Sequence, residues 1–201
     1  MIPKIIHHVW LGNKPFPEEF NRYRLSWMKH HPTWTMMFWD EDNLPKLINQ
    51  NSLKLCNTYS EMSDVIRYEL LYKYGGIYLD CDFSCYKNVE PLIKDLKLFI
   101  STEDNVHLSG GFIGSVPKHP IIKRLIRLIP KNLEMSKGKT SDLRIGPKWL
   151  TNNVRKDEIT ILPKEYFYPY LPWEIEKKEN LKKNKICYAA HHWKRSWGES
   201  I

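Results

Sequence analysis

The spacing of apolar and polar residues changes repeatedly along this chain. Short apolar runs at 5–10, 34–39, 98–101, 112–114, 159–162 and 186–190 have the length and content of core strands. Between them, 18–30 repeats apolar residues every three to four positions, at Phe20, Tyr23, Trp27 and His30, which predicts a helix. A short helix is expected over 41–49, capped by Asp40 or Asp42. Met62, Val65, Ile66, Leu70 and Tyr74 predict an amphipathic helix that Gly75-Gly76 stops. A strand over 77–83 follows it. Residues 120–129 set six apolar side chains against Lys123, Arg124 and Arg127, a helix with a basic face. Another helix is expected near 143–152. Tyr166 to Trp173, rich in Tyr and Pro, reads as an ordered loop that could border an acceptor. Alternating strands and helices predict an α/β sandwich with a mostly parallel central sheet, in one domain. Ligands in such sheets gather at the carboxyl ends of the strands.

Composition narrows the class. With 42% hydrophobic residues in 201, the chain can bury a core and is neither disordered nor fibrous. No apolar stretch has a membrane span's length, and no leader pattern opens the chain. A cytoplasmic protein, in peripheral contact with a membrane at most, is expected. Cys56, Cys81, Cys85 and Cys187 lack zinc-site spacing and are expected to be free thiols. The net charge of +8 is lopsided: residues 1–100 carry 12 basic and 12 acidic side chains, residues 101–201 carry 19 and 11. The second half therefore either solvates itself or faces an anionic partner. The basic face of 120–129 has the same two readings, solvent or an anionic leaflet.

The stretch Ser63-Asp64-x-x-Arg67 … Gly75-Gly76-x-Tyr78-x-Asp80-x-Asp82 concentrates the chemistry. In an extended segment, Tyr78, Asp80 and Asp82 share a face. Two carboxylates side by side repel, and a hard divalent cation such as Mg2+ or Mn2+ relieves that repulsion while keeping sites for phosphate oxygens. Asp64 and Arg67 share a helix face. The glycine turn returns the chain so that this end of the helix lies over the end of the Asp80 strand.

This stretch resembles the DXD region of glycosyltransferase family 32, which includes yeast initiating mannosyltransferases and bacterial capsular-polysaccharide transferases; clostridial toxin glucosyltransferase domains are more distantly similar. Three further segments match in order: Ile2-Pro3-Lys4-Ile5-Ile6-His7-His8-Val9-Trp10-Leu11-Gly12, Gly146-Pro147-x-x-Leu150-Thr151, and His191-His192-Trp193-Lys194-Arg195-Ser196-Trp197. The closing segment departs from the family's small residues at Lys194-Arg195. The turn expected at Ser109-Gly110-Gly111-Phe112 replaces a common polar residue.

The resemblance implies a GT-A fold, a Rossmann-like sandwich over 1–201, with 1–100 binding the donor and 101–201 forming the acceptor side. It implies that His8 and Trp10 meet the nucleotide-sugar, Trp10 against the base. Asp64 and Arg67 would hold the sugar, and Tyr78 and Asp80 the ribose or sugar. Asp80, Asp82 and His191 would bind Mn2+ or Mg2+, with His191 preferred over His192. Ser196 and Trp197 would meet the diphosphate. The implied reaction moves a hexose, from UDP-hexose first or GDP-mannose second, to a hydroxyl of a glycan, glycolipid or protein, with retention. Asp64, Arg67, Asp80 and Asp82 are the catalytic candidates. Two competing readings use the same residues differently: a nucleic-acid-binding module on the basic half, and a metal-dependent phosphohydrolase using His7, His8 and the closing histidines. No nucleic-acid signature is present, so nucleic acid is not the expected partner.

Overall fold

A computed structural model describes residues 1–174, 176–177, 181 and 185–194. In chain order the elements are β1 (Ile5–Val9), α1 (Glu18–His30), β2 (Thr35–Trp39), α2 (Tyr59–Tyr74), β3 (Gly76–Leu79), β4 (Phe83–Cys85), α3 (Glu90–Ile93), β5 (Leu98–Thr102), β6 (Leu108–Ser115), α4 (Pro120–Met135), α5 (Ser141–Arg144), α6 (Pro147–Asn153), β7 (Thr160–Leu162), α7 (Lys164–Phe167) and β8 (Ala189–His191). Six strands form one sheet in the order β2-β1-β3-β6-β5-β7. Every pairing is parallel except the two that β6 makes, so five strands point one way. The expected mostly parallel α/β sandwich is present. A second, two-stranded antiparallel sheet joins β4 to β8.

The sheet is covered on both faces. Val65, Ile66 and Leu70 of α2 and Ile122, Leu125 and Ile129 of α4 pack with Val9, Ile100 and Ile113 on one side. Trp27 of α1, Phe83 and Phe167 pack with Ile6, Ile77, Phe99 and Phe112 on the other. Trp27 also donates its indole N–H to the Phe83 carbonyl at 2.9 Å, fixing α1 to the start of β4.

Helix α2 departs from the amphipathic expectation. It is buried nearly all round, with Ser63, Asp64, Arg67 and Glu69 buried beside its apolar residues. Its polar side faces other protein groups instead of solvent. The Thr58 hydroxyl accepts from the Glu61 N–H at 3.2 Å, and the Glu61 carboxylate accepts from the Asn57 N–H at 2.7 Å, so side chains satisfy one donor of the first turn and the N–H just before the cap. It ends at Gly75, φ +66°, and Gly76 at φ +93° starts β3, where an added Cβ would lie 2.6 Å from the Ile5 carbonyl oxygen. The turn therefore brings β3 directly against β1.

Several expected elements are corrected. Residues 41–49 form turns, because Pro45 lacks an N–H and disfavours helix at Leu44; a 3-10 helix at Gln50–Leu55 follows. The strand over 77–83 is interrupted: β3 stops at Leu79, and Phe83 donates its N–H to the Asp80 carbonyl at 3.3 Å across a turn. Ser109 to Phe112 is strand, not turn. The last strand is Ala189–His191 instead of 186–190. The helix near 143–152 divides into α5 and α6 at Ile145-Gly146. Helix α4 runs six residues past Ile129, through Pro130. Pro130 leaves the Ile126 carbonyl without its helical donor, and the Asn49 side-chain amide donates to it at 2.6 Å.

One buried ion pair ties the site side of α2 to the second half. Arg144 donates Nε to Glu61 at 2.8 Å, with side-chain exposures of 1% and 0%. Its other nitrogens donate to the carbonyls of Leu55 at 2.6 Å and Ser136 at 3.2 Å. Arg144→Met is expected to lower unfolding free energy by about 3–5 kcal/mol, since Glu61 is left buried without its cation. Urea denaturation measures it; an unchanged midpoint would show that the pair does not hold these elements.

Candidate active site

The parallel strands end together at one edge of the sheet. Trp10 follows β1, Asp80 follows β3, and Glu103 follows β5, while the reversed strand β6 begins there with Ser109-Gly110-Gly111. Asp64, in the first half of α2, reaches the same edge through Arg67. The Arg67 guanidinium lies 2.7 Å from Asp64 and 3.5 Å from Asp80, over the Tyr78 ring at 4.5 Å. Tyr78 donates its hydroxyl proton to Asp80 at 2.9 Å and accepts from Ser63 at 2.7 Å. The turn between β3 and β4 brings Asp82 round to His191, whose Nε2 lies 3.0 Å from Asp82 and 3.8 Å from Asp80. Asp82 also accepts from the Lys194 backbone N–H at 2.9 Å. The two acids converge through a turn and not through strand alternation.

Environment sets the charge states. Burial raises the Asp64 carboxyl to about 7, against the pull of Arg67. Burial disfavours charged Arg67, but Asp64, Tyr78 and Asp80 outweigh it and hold its pKa above the usual value. Burial would raise Asp82, yet His191 and the Lys194 N–H keep its carboxyl below the ordinary range. His191 shows the reciprocal effect: burial lowers it, and Asp82 overcomes burial to raise it. Burial also lifts Glu103 to about 7, opposed by His191.

Asp80, Asp82 and His191 each offer a ligand atom within 4.8 Å of the others. Two carboxylates and an imidazole suit a divalent cation that accepts oxygen and nitrogen, as Mn2+ does. His191 Nδ1 is buried without a hydrogen-bond partner, so this ring is not consumed by structural bonds on both nitrogens. The donor set fits the metal that the DXD pattern implies.

The remaining expected residues are placed as follows. His8 is buried, and its Nδ1 lies 3.1 Å from the Leu79 carbonyl, one residue before Asp80; burial lowers its pKa to about 4. Trp10 is 7% exposed, packs edge-to-face on Phe16 and Phe20, and shares their cluster with Cys81, the middle residue of the motif. Its indole N–H donates to the Lys14 carbonyl at 2.9 Å. His192 faces away, bonded to Tyr170 at 2.9 Å and Ser84 at 2.8 Å and stacked on Tyr23. His7 uses both ring nitrogens, on the Gly75 carbonyl and the Trp39 indole N–H, which removes it from any ligand set. Ser196 and Trp197 lie outside the described residues.

Some site residues were not read from the sequence. A Cβ at Gly110 would sit 2.1 Å from Arg67 Nη1, and one at Gly111 would sit 2.8 Å from Asp80 and 3.0 Å from the Tyr168 hydroxyl. The Gly-Gly pair is the signal: it leaves β6 bare where Arg67 and Asp80 cross it. Glu103 carries no local pattern. Beside the cluster opens a cavity of about 560 Å³ whose lining includes Ser60, Asp64, Glu103, His107, Trp173 and Trp193. The Trp193 ring lies 4.3 Å from that of His191.

Residues 17–99 match the family described as glycosyltransferase sugar-binding region containing DXD motif. The chain is 27% identical over 161 residues to inositol phosphoceramide mannosyltransferase 1 of Schizosaccharomyces pombe, covering 75% of this chain and 50% of that protein. It is 29% identical over 226 residues to the uncharacterized glycosyltransferase L373 of Acanthamoeba polyphaga mimivirus, covering 100% and 86%. Thus the chain spans half of the first of these curated relatives and most of the second. In structure it is similar to the PaToxG glycosyltransferase, with a TM-score of 0.63, 18% identity and coverage of 78% and 70%. The fold is the GT-A arrangement expected from the motifs, and the match to the DXD glycosyltransferase region covers residues 17–99.

Asp82→Asn should weaken Mn2+ binding at least about tenfold, as loss of a charged ligand does. With Asp82 uncharged, burial dominates and the His191 imidazole should titrate at lower pH than in the parent. In the parent, a proton on His191 competes with the cation, so Mn2+ affinity should rise as pH rises through the raised His191 titration. Calorimetry and imidazole NMR test both; an unchanged affinity would remove Asp82 from the metal site.

Proposed function

Starting from a chain whose residues 17–99 carry the DXD sugar-binding region of glycosyltransferases, we propose that it transfers a hexosyl unit from a nucleoside diphosphate to an acceptor hydroxyl on a glycan or glycolipid, with retention of configuration. UDP-hexose and GDP-mannose are the donor candidates. The observation that carries the proposal is the convergence of Asp80, Asp82 and His191 within 4.8 Å, next to the Asp64–Arg67 pair and the cavity. The likeness to an inositol phosphoceramide mannosyltransferase favours a glycolipid acceptor.

Each group has a role that its surroundings support. A divalent cation bound at Asp80, Asp82 and His191 would supply electrostatic stabilisation of the departing diphosphate. Asp82 is kept ionised for that by His191 and the Lys194 N–H. Arg67 is fixed between Asp64 and Asp80, so its guanidinium is held in place for a sugar hydroxyl without reorganising. Asp64 is bound to Arg67 and raised to about 7, which suits holding a hydroxyl better than attacking the anomeric carbon. Trp10 borders the nucleotide from its aromatic cluster, and His8 braces the backbone that carries Asp80. Asp64, Asp80 and Asp82 are each engaged by Arg67 or His191, which favours attack on the same face, the leaving phosphate taking the acceptor proton.

Incubation with UDP-hexoses and GDP-mannose, with Mn2+ and without added acceptor, should release nucleoside diphosphate slowly from one donor class. EDTA should abolish release, and Mn2+ or Mg2+ should restore it. Asp80→Asn combined with Asp82→Asn should lower turnover at least about 10²-fold while the protein stays folded. Release of free phosphate instead of nucleoside diphosphate, or near-normal turnover by the double variant, would overturn the proposal.

A further inference from the structure

Helix α4 turns a cationic line outward. Lys123, Arg127, Lys131 and Met135 follow one another at four-residue spacing and are all exposed, with Leu128 beside them at 37% exposure. Arg124 is not part of the line, since it binds Glu158 at 2.6 Å. Lys123, Arg127 and Lys131 make no ion pair among the described residues, and neither do Lys137 and Lys139, exposed beyond the helix. Glu134 is the single acid exposed along this helix.

The end of α4 is tied to one wall of the cavity. At the end of α4, Asn132 donates to the Arg144 carbonyl and Arg144 donates to the Ser136 carbonyl, which seats α5 against it. Ser141 and Asp142 of α5 line the cavity with Asp64 and Glu103. Large apolar side chains are turned to solvent on these elements: Met135 at 71% at the end of α4, Leu143 at 42% in α5, and Trp173, which lines the cavity, at 75% exposure. Isolated exposed apolar residues need no explanation, but here Leu128 and Met135 share one helix face with a row of unpaired cations. Cations beside Trp, Leu and Met suit the boundary of a bilayer. Lys and Arg meet anionic headgroups there, and apolar tips enter the acyl edge.

We propose that the outward face of α4, together with Leu143 and Trp173, docks this chain on an anionic lipid bilayer, with the cavity mouth facing the membrane. The proposal rests on the reading above that the acceptor is a glycolipid. Docking brings the cavity to the headgroup hydroxyls of the bilayer. Charge selects the occupant: an unpaired cationic row matches an anionic leaflet, and the apolar rim has no counterpart in a nucleic-acid phosphate backbone.

The experiment is sedimentation with vesicles of phosphatidylcholine alone and of an equal mixture with phosphatidylglycerol. The protein should pellet with the mixed vesicles only and be released as salt is raised. The variant Lys123→Glu/Arg127→Glu/Lys131→Glu should bind at least about tenfold more weakly. Met135→Ser/Leu143→Ser should also bind more weakly, and both variants should keep the parent melting temperature and Mn2+ affinity. Quenching by brominated lipid should be reduced in Trp173→Phe. Failure to pellet, equal pelleting with both vesicle types, or parent-like pelleting of the charge-reversed variant would overturn the docking surface. Vesicle binding by a protein that turns over no donor would leave this surface standing and sink the transferase reading; donor turnover without vesicle binding would do the reverse.

Discussion

Negative charge in excess of its partners is the constraint around which this molecule is arranged. Asp64, Asp80 and Asp82 converge at one sheet edge, and the permanent cation among them is Arg67, held 2.7 Å from Asp64 and 3.5 Å from Asp80. His191 balances Asp82 only while protonated. Burial makes such a deficit costly, so the cluster is poised to accept a positive ion. The surrounding fold holds it in that state. Gly75 and Gly76 return β3 beside α2, Gly110 and Gly111 leave room for Arg67 and Asp80, and the Glu61–Arg144 pair pins the start of the helix that carries Asp64.

This arrangement explains why one helix is buried on its polar side. A surface helix with Ser63, Asp64, Arg67 and Glu69 along it would turn them to water. Here they are inside, because the site and the covering helix α4 lie where solvent would be. The cost of burying them is offset pairwise. Arg67 takes Asp64, and the Ile48 and Asn49 N–H groups donate to Glu69 at 3.0 and 2.8 Å.

Much of the site was legible because its signals are local. Asp64 and Arg67 are one helical turn apart, the glycine pair marks the reversal, and the two aspartates are adjacent in the motif. The strands and the sheet's parallel character followed from short apolar runs between helical stretches. The rest depended on tertiary context. A turn and not a strand joins Asp80 to Asp82, because β4 leaves the main sheet to pair with β8. Glu103 enters the site only through the end of β5, and His191 is distinguished from His192 by its partners, Asp82 for the one and Tyr170 with Ser84 for the other. Residues 41–49 looked helical by composition, but Pro45 forbids it. Helix α4 looked finished before Pro130, yet Asn49, distant in sequence, satisfies the carbonyl that proline orphans.

The most direct measurement of the central claim is an anomalous difference map at the manganese edge from crystals of this chain grown with Mn2+ and a nucleoside diphosphate. The account predicts one strong peak bound by Asp82 and His191, near Asp80, with the diphosphate on the cavity side. Crystals in which Asp82 and His191 remain paired with each other, and the nucleotide and manganese lie elsewhere, would contradict it.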